Sequence, residues 1–507
     1  MSIDAALLIA RSGLQYTQRA LSNAANNVAN AETEGYTRKK ITSLAVSVEA
    51  HPMGVRSLGP SRDVDNAVLA EINARRSALA GAETRSSILS AVDVAHGQVE
   101  NANGLGDLTA KLKDSFIELR LDPTQVVKQQ AIVLVAAEDL ANRFNDISKV
   151  IGQQRQLTED GVFTEIGKIN AGLRQIATLT ENIIKQTGAH QPTADLEDQR
   201  DVALKELSQC IAFKTIRQEN GGLILLGAGG ITLPLVSDGD AFVTQRSTIS
   251  PESYYGAGGS IPGITLLGVD VTQQMVGGRL GEYIQLRDQV LPRYQAELDI
   301  AASEIADRFR AEGLRLFVDT AGNVPDPNQP YAGSPQIGFA TAMSVNPIVR
   351  ADSRLLRDGT ETLTGPPVTF TPNPINGPGA FTTLIDNILD HTFGETEAPG
   401  VSWGGFATSG LGPDGTLSSP FGAPRTIGEY TAWLTATQTA DNAAATRALD
   451  MAKDFSDGIE ARFAKQSSVD VDSEMASLVQ LQNAYAANAR VLSTAQSMWE
   501  TLFGSVR

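Results

Sequence analysis

Two long helical patterns stand at the two ends of this chain and bracket a middle of different character. In residues 1–30, Ile3, Leu7, Ala10, Leu14, Thr17, Leu21, Ala24 and Val28 recur at alternating intervals of four and three, the spacing of an apolar seam on a helix that packs against another helix. In residues 471–507, Leu478, Leu481, Tyr485, Leu492, Trp499 and Leu502 make a broad stripe with Met475, Ala489, Ala495 and Phe503 beside it. Chain ends usually fray. Ends patterned this way are expected to pair as a coiled coil and to form the working surface of the protein.

Side-chain size sharpens that expectation. Ala10, Thr17 and Ala24 in the first seam are small, which permits close helix approach. Asn23, Asn26, Asn27 and Asn30 form a polar stripe on the same helix, suited to hydrogen bonding across a helix contact and to fixing register. The last 37 residues carry only Asp472, Glu474, Arg490, Glu500 and Arg507 as charged groups. A helix with so few charges and so many Ala, Ser, Asn and Gln residues suits packing on several sides at once, by other subunits. The competing expectation is a self-contained helix pair that completes an intramolecular rod.

Between the ends the pattern alternates. The helix gives way at ETEGYTRKK, and residues 41–63, with Pro52, Gly54, Gly59 and Pro60, read as a short hairpin or extended arm. From about Asp65 to Gln186 the periodicity is helical, with interruptions expected at 101–106, 121–123 and Gly161. Residues 211–275 are rich in glycine and β-branched residues and predict strands and turns. Helix resumes at Gly277–Gly278, with Pro292 expected to kink it, and again near Tyr430. The fold class that follows is mainly α with β-rich insertions. It is an elongated multidomain protein with a terminal coiled-coil assembly domain (1–60 with 440–507) and an antiparallel helical rod (61–207 with 277–312). A β-rich segment (208–276) packs on the rod, and residues 313–439 form an outer β-rich or irregular domain.

Composition excludes several functions. With 41 basic and 58 acidic residues the formal charge is −17, which argues against nucleic acid as partner. The start lacks a secretory n-region, and no stretch approaches the roughly 18 apolar residues of a membrane span, so no membrane insertion is expected. Cys210 is the one cysteine, in the apolar setting LSQCIAF, and reads as a buried thiol. The four histidines, His51, His96, His190 and His391, are not at ligand spacing, and no metal, cofactor or catalytic set is expected. The glycine run GLILLGAGG lacks the lysine and hydroxyl of a phosphate loop. In ADLEDQRD, the carboxylates around Arg200 read as a structural network of Asp198, Arg200 and Asp201 at a helix start or domain corner. The basic run Arg38, Lys39, Lys40 reads as a solvated edge or as a contact with acidic groups of a neighbouring subunit.

The stretch LSNAANNVANAETEGYTRKK resembles the N-terminal signature of the bacterial flagellar rod, hook and hook-associated proteins. The matching residues are Leu21, Ser22, Asn26, Asn27, Ala29, Asn30, Thr33, Gly35, Tyr36, Thr37 and Arg38, with Glu34 where family members often have proline. Three further segments are similar to hook-associated members: LEDQRDVALKELSQ (196–209), GGRLGEYIQLRDQVLPRYQAELD (277–299) and EMASLVQLQNAYAANARVLSTAQSMWETLF (474–503). Residues 315–435 match only loosely.

The resemblance implies a structural component rather than an enzyme, joining the flagellar hook to the filament. It would assemble as a ring through its terminal helices inside a tubular structure. The implied assembly interface comprises Leu7, Leu14, Leu21, Asn26, Asn27, Val28, Tyr36 and Arg38 with Met475, Leu478, Leu481, Tyr485, Leu492, Trp499 and Leu502. Implied partners are hook protein, a second hook–filament junction protein, copies of the chain itself, and a cytoplasmic export chaperone on the C-terminal helix. The implied location is extracellular, at the hook–filament junction, after export from the cytoplasm by the flagellar type III apparatus. A hook or distal-rod protein of the same family is the alternative, and a cell-wall-polymer hydrolase a remote one.

Overall fold

The computed structural model describes residues 3–48, 51–97, 103–123 and 126–505. The first helix, α1 (Ile3–Ala29), and the last, α13 (Val471–Ser505), pack along each other. Ala10, Thr17 and Ala24 of α1 and Ala495 of α13 are buried at or beside this seam. The backbones approach closely: a Cβ placed on Gly13 would stand 3.0 Å from the Asn488 side chain. Larger seam residues, Leu7, Leu14, Leu21 and Val28, are half-buried.

The arm expected at 41–63 is an antiparallel hairpin, β1 (Lys39–Val48) and β2 (His51–Arg62), with irregularities between Ile41 and Ser43 and between Val46 and Ser47. It lies along α1. Ser12 Oγ accepts the Val55 N–H at 3.1 Å, and Arg19 donates to Ser57 Oγ at 2.7 Å. Gly54, at φ +109°, is the residue of closest approach, because any Cβ there would overlap Ser12.

The rod consists of α2 (Asn66–His96), α3 (Leu105–Leu121), α4 (Val126–Gly188), α5 (Ala194–Cys210), α6 (Gly278–Gln285) and α7 (Leu291–Ala311). Asp65 caps α2 by accepting the Ala67 N–H at 2.8 Å. One expectation is corrected here, and the other, at Pro292, is given its local geometry. First, α4 runs unbroken through Gly161, which is a contact glycine: a Cβ there would fall 2.6 Å from the Tyr283 ring of α6. Second, α6 and α7 join through one widened π turn at Leu286–Val290, closed by the Leu291 N–H on the Leu286 carbonyl. Pro292 lies within the continuous helical run from Gly278 to Ala311, directly after the π turn, which is where the regular hydrogen-bond ladder gives way to a residue without an N–H.

Two apolar cores organise the rod. One gathers the C-terminal end of α2, all of α3, the first half of α4 and α7, with Phe309 at 5.7–5.8 Å from Phe116, Phe317 and Phe393. The other joins the second half of α4 and α5 to two three-stranded sheets, β3 (Phe213–Arg217), β4 (Leu223–Gly227), β5 (Thr232–Leu233) and β6 (Phe242–Val243), β7 (Thr265–Leu266), β8 (Val269–Asp270).

Residues 313–426 hold small antiparallel strand pairs and four short helices, α8 (Phe339–Ala342), α9 (Pro347–Ala351), α10 (Leu355–Asp358) and α11 (Thr383–Asn387). Their buried side chains, among them Leu314, Phe339, Leu356, Leu384 and Phe406, belong to the same core as α3, α4 and α7. The chain then returns as α12 (Ile427–Ser467), which passes through position 440 without a break and packs on α2, α3 and α7. Thr426 caps it through the Glu429 N–H. The fold is mainly helical, with paired terminal helices flanking a middle that carries small antiparallel sheets.

Candidate assembly surface and its anchoring corner

The segment 30–39 folds the chain from α1 into β1 and forms a corner where α1, β1, α5, α12 and α13 meet. Gly35 at φ +76° makes the turn possible and lies so close to α5 that a Cβ would overlap Val202. Asn27, fully buried, acts as a surrogate strand: its amide donates to the Lys39 carbonyl at 3.0 Å, and its Oδ1 accepts the Lys39 N–H at 3.2 Å and the Tyr36 hydroxyl at 2.9 Å. Asn23 donates to the same carbonyl at 2.7 Å. The asparagine stripe thus bonds to the returning backbone, while Asn26 and Asn30 bond each other.

Arg38 and Lys39 fasten different neighbours. The Arg38 N–H donates to the Ser467 carbonyl of α12 at 2.9 Å, and its guanidinium pairs with Glu474 of α13 at 2.6 Å. Lys39 is buried, its ammonium over the Tyr36 ring at 3.5 Å and paired with Asp195 at 2.7 Å and Asp198 at 3.0 Å of α5. Burial pushes this ammonium down, and the two carboxylates outweigh that, holding its pKa above the ordinary lysine value. The basic run is therefore an internal anchor at Lys39 rather than a solvated edge. Lys40, next along, is half-exposed beside Asp63.

Asp198 is the hub. It accepts the Thr37 hydroxyl at 2.6 Å, the Thr37 N–H at 3.2 Å, Lys39, and Arg62 of β2 at 2.8 Å. Arg62 also reaches Glu197 and Asp201, and Asp201 takes Arg217 of β3 at 2.7 Å. Burial lowers the Arg62 pKa, and Asp201 and Asp198 more than offset it. Arg200 points elsewhere: its guanidinium donates to the Gly221 carbonyl at 2.8 Å. The carboxylates of this segment are met by Lys39, Arg62 and Arg217, all distant in sequence.

Of the residues read as an interface, Leu478, Leu481, Leu492 and Trp499 are half-buried, whereas Met475, Tyr485 and Leu502 are exposed. Val479, Val491, Met498 and Phe503, the last 65% exposed, extend the apolar surface. These side chains lie on more than one side of α13, and Trp499 and Phe503 stack at 5.2 Å. On α1, Asn26 is exposed and Asn27 buried; Tyr36 and Arg38, in the segment that follows it, are half-buried. Sequence reasoning placed Asn23 in the asparagine stripe and Lys39 in the basic run without finding their partners, and gave no anchoring role to Arg62 or Glu474. Only the spacing of Asn23 and Asn27, one helical turn apart, signalled a shared partner.

The remaining chemistry is structural. Cys210 is buried, and burial with the neighbouring Glu165 carboxylate pushes its thiol up to about 12. Among the described residues no group of three or more His, Cys, Asp or Glu side chains forms a metal site. No described helix is long and apolar enough to cross a membrane.

What this geometry defines is a class: a structural protein whose two termini pair and are bolted through one corner to a helical body. Family comparison specifies the class. Residues 7–37 match the flagella basal body rod protein family, 90–316 the flagellar hook-associated protein FlgK helical domain, and 461–504 the flagellar basal body rod FlgEFG protein C-terminal family. The chain is 27% identical over 335 residues to flagellar hook-associated protein 1 of Salmonella typhimurium, covering 62% of this chain and 57% of that protein. It is 24% identical over 407 residues to the Escherichia coli protein of the same name, covering 74% and 71%. The chain thus spans a little over half the length of the Salmonella relative. The flagellar hook junction protein FlgK from Burkholderia pseudomallei superposes with a TM-score of 0.40 at 22% identity, over 50% of this chain and 45% of that one, too little to transfer an arrangement of domains. The chain belongs to the flagellar rod, hook and hook-associated family, and it is FlgK-like over residues 90–316.

Proposed function

We propose that this protein joins the flagellar hook to the filament, assembling as a ring in which the α1–α13 pair lines the inner wall of a tube. The observation that carries the reading is the apolar surface left open on α13: Met475, Val479, Val491, Met498, Leu502 and Phe503 are all at least 47% exposed. Fully burying one such side chain is worth ~1.5–3 kcal/mol, and a second copy of the same helix pair is a covering of matching chemistry. The units are the terminal coiled coil (1–60 with 440–507), the rod (61–207 with 277–312), the β-rich segment (208–276) and the outer region (313–439).

The corner transmits load on this reading. Tension on the terminal helices passes through Arg38, Lys39 and Arg62 into α5 and α12, which belong to the body of the molecule. Partners are hook protein, the second junction protein and further copies of the chain, with an export chaperone covering α13 in the cytoplasm before type III export. The protein then works outside the cell.

Removing residues 471–507 tests the reading. Cells carrying the truncation are expected to make hooks without attached filaments, and filaments attached normally would refute it. Proteolysis of the purified monomer adds a second measure. Early cleavage within α1 and α13, with residues 65–435 surviving, is expected, and fully protected termini would favour a self-contained rod.

A further inference from the structure

The hairpin β1–β2 presents a face whose large side chains are left exposed by the described residues. Leu44 and Arg56 are cross-strand partners, and Val46 and Leu58 share their face by the two-residue alternation. All four are exposed, while Ser57 and the Val55 N–H are engaged with α1 on the other side. Among the described residues Arg56 makes no ion pair. It stands as a cation within an apolar stripe.

A surface of opposite charge and like apolarity lies on α12. Met451 and Phe455 are 57% and 59% exposed, and Asp450, Asp454 and Asp457 are exposed beside them at intervals of four and three. None of the three carboxylates has an ion-pair partner among the described residues. Lys453 is exposed at three residues from Asp450 and four from Asp457 and offsets part of this charge, and Arg75 lies over one side of the Phe455 ring at 5.1 Å; Asp454 has no cation at helical spacing on α12 and is the carboxylate that a cation from outside would relieve.

The two surfaces cannot meet within one molecule. The hairpin follows α1 away from the corner, from Lys39 beside Asn27 to Gly54 beside Ser12, a reach of roughly 30 Å for nine residues of strand. Helix α12 ends at the corner, where Ser467 accepts the Arg38 N–H, and runs along α2 rather than along α1 or α13. Its acidic patch begins ten residues before Ser467, roughly 15 Å from the corner. Complementary patches at different places on one chain make a head-to-tail contact, which generates rings or helices rather than closed pairs.

We propose that the hairpin of one copy docks on α12 of the next, with Arg56 among Asp450, Asp454 and Asp457, and Leu44, Val46 and Leu58 against Met451 and Phe455. This second subunit contact rests on the reading that copies assemble through their terminal helices. It places the coiled-coil level of one subunit against the rod level of its neighbour.

The test uses full-length protein carrying Cys210→Ser, Leu58→Cys and Met451→Cys in motile cells, with a short bismaleimide applied to isolated flagella. Covalent oligomers of the chain are expected. Arg56→Glu or Asp454→Lys alone should lower their yield about tenfold, and the two together should restore it. Both substitutions are at exposed positions and leave folding intact. Protein present in the flagella without cross-linked oligomers, and indifferent to either reversal, would overturn the docking while leaving terminal-helix assembly in place. Protein absent from the flagella, although exported with α13 intact, would overturn both.

Discussion

Replacing Asp198 by alanine should open the corner without unfolding the body. The carboxylate is buried and serves Thr37, Lys39 and Arg62 at once. Removing one partner from a buried ion pair typically costs about 3–5 kcal/mol, because the other charge is left without compensation. Here the lower end applies. Lys39 keeps Asp195, whose side chain is 75% exposed and so weakens the pair, and Arg62 keeps Asp201 and Glu197. A loss of about 3 kcal/mol corresponds to roughly a hundredfold rise in the population of the open corner. Amide hydrogen exchange is the direct assay. The N–H groups of Thr37 and Lys39, bonded to Asp198 and Asn27, should exchange about a hundredfold faster. Amides in the middle of α4 and α7, which belong to the two cores, should keep their rates. Adding Lys39→Met to the variant should recover part of the loss, since the uncompensated ammonium is then gone. Unchanged exchange at the corner, or strict additivity of the two substitutions, would refute the account of Asp198 as its hub.

Two glycines of α4 separate helix propensity from packing. Gly161→Ala should destabilise by about 1–3 kcal/mol, since its Cβ meets the Tyr283 ring at 2.6 Å. Gly167→Ala, with no neighbour within 4 Å, should stabilise by up to ~1 kcal/mol. Thermal unfolding of both checks this, and two shifts of the same sign would contradict it. Glu312 is buried, and among the described residues neither carboxylate oxygen has a hydrogen-bond partner; burial and the Glu397 charge raise its pKa to about 8. Between the unfolded value of 4.5 and 8 the folded state holds the extra proton, so this group makes stability fall as pH rises through that window. Glu312→Gln should remove that decline, a gain on the order of 3 kcal/mol at pH 7; urea unfolding at pH 5 and pH 8 showing the same pH dependence in both proteins would exclude it.

The parts of this molecule that were legible in the sequence are those fixed by local periodicity. Four-and-three spacing carries the terminal helices, and alternation between Pro52 and Pro60 carries the hairpin. What was not legible depends on residues far apart along the chain. Lys39 looks like a solvated lysine because its carboxylates lie about 160 residues away. Arg200 looks like the centre of its acidic neighbours because it is adjacent to them, yet on a helix adjacent residues point in different directions, and the charges that meet Asp198 and Asp201 come from β1, β2 and β3. Gly161 reads as a helix breaker until Tyr283 is seen against it.

The same distinction explains why the family signature lies where it does. Within AANNVANAETEGYTRKK, Asn27 must satisfy the Lys39 backbone, Gly35 must clear Val202, and Arg38 and Lys39 must reach α13 and α5. None of these demands can be met by a residue that is merely polar or merely helical. The apolar face of α13, by contrast, asks only for size and hydrophobicity, which Met, Val, Leu and Phe all supply. On the proposed assembly, the narrowest residue requirements therefore fall at the corner joining the terminal helices to the body. Mutations there should spare folding of the rod and, on the proposed assembly, alter how subunits are held together.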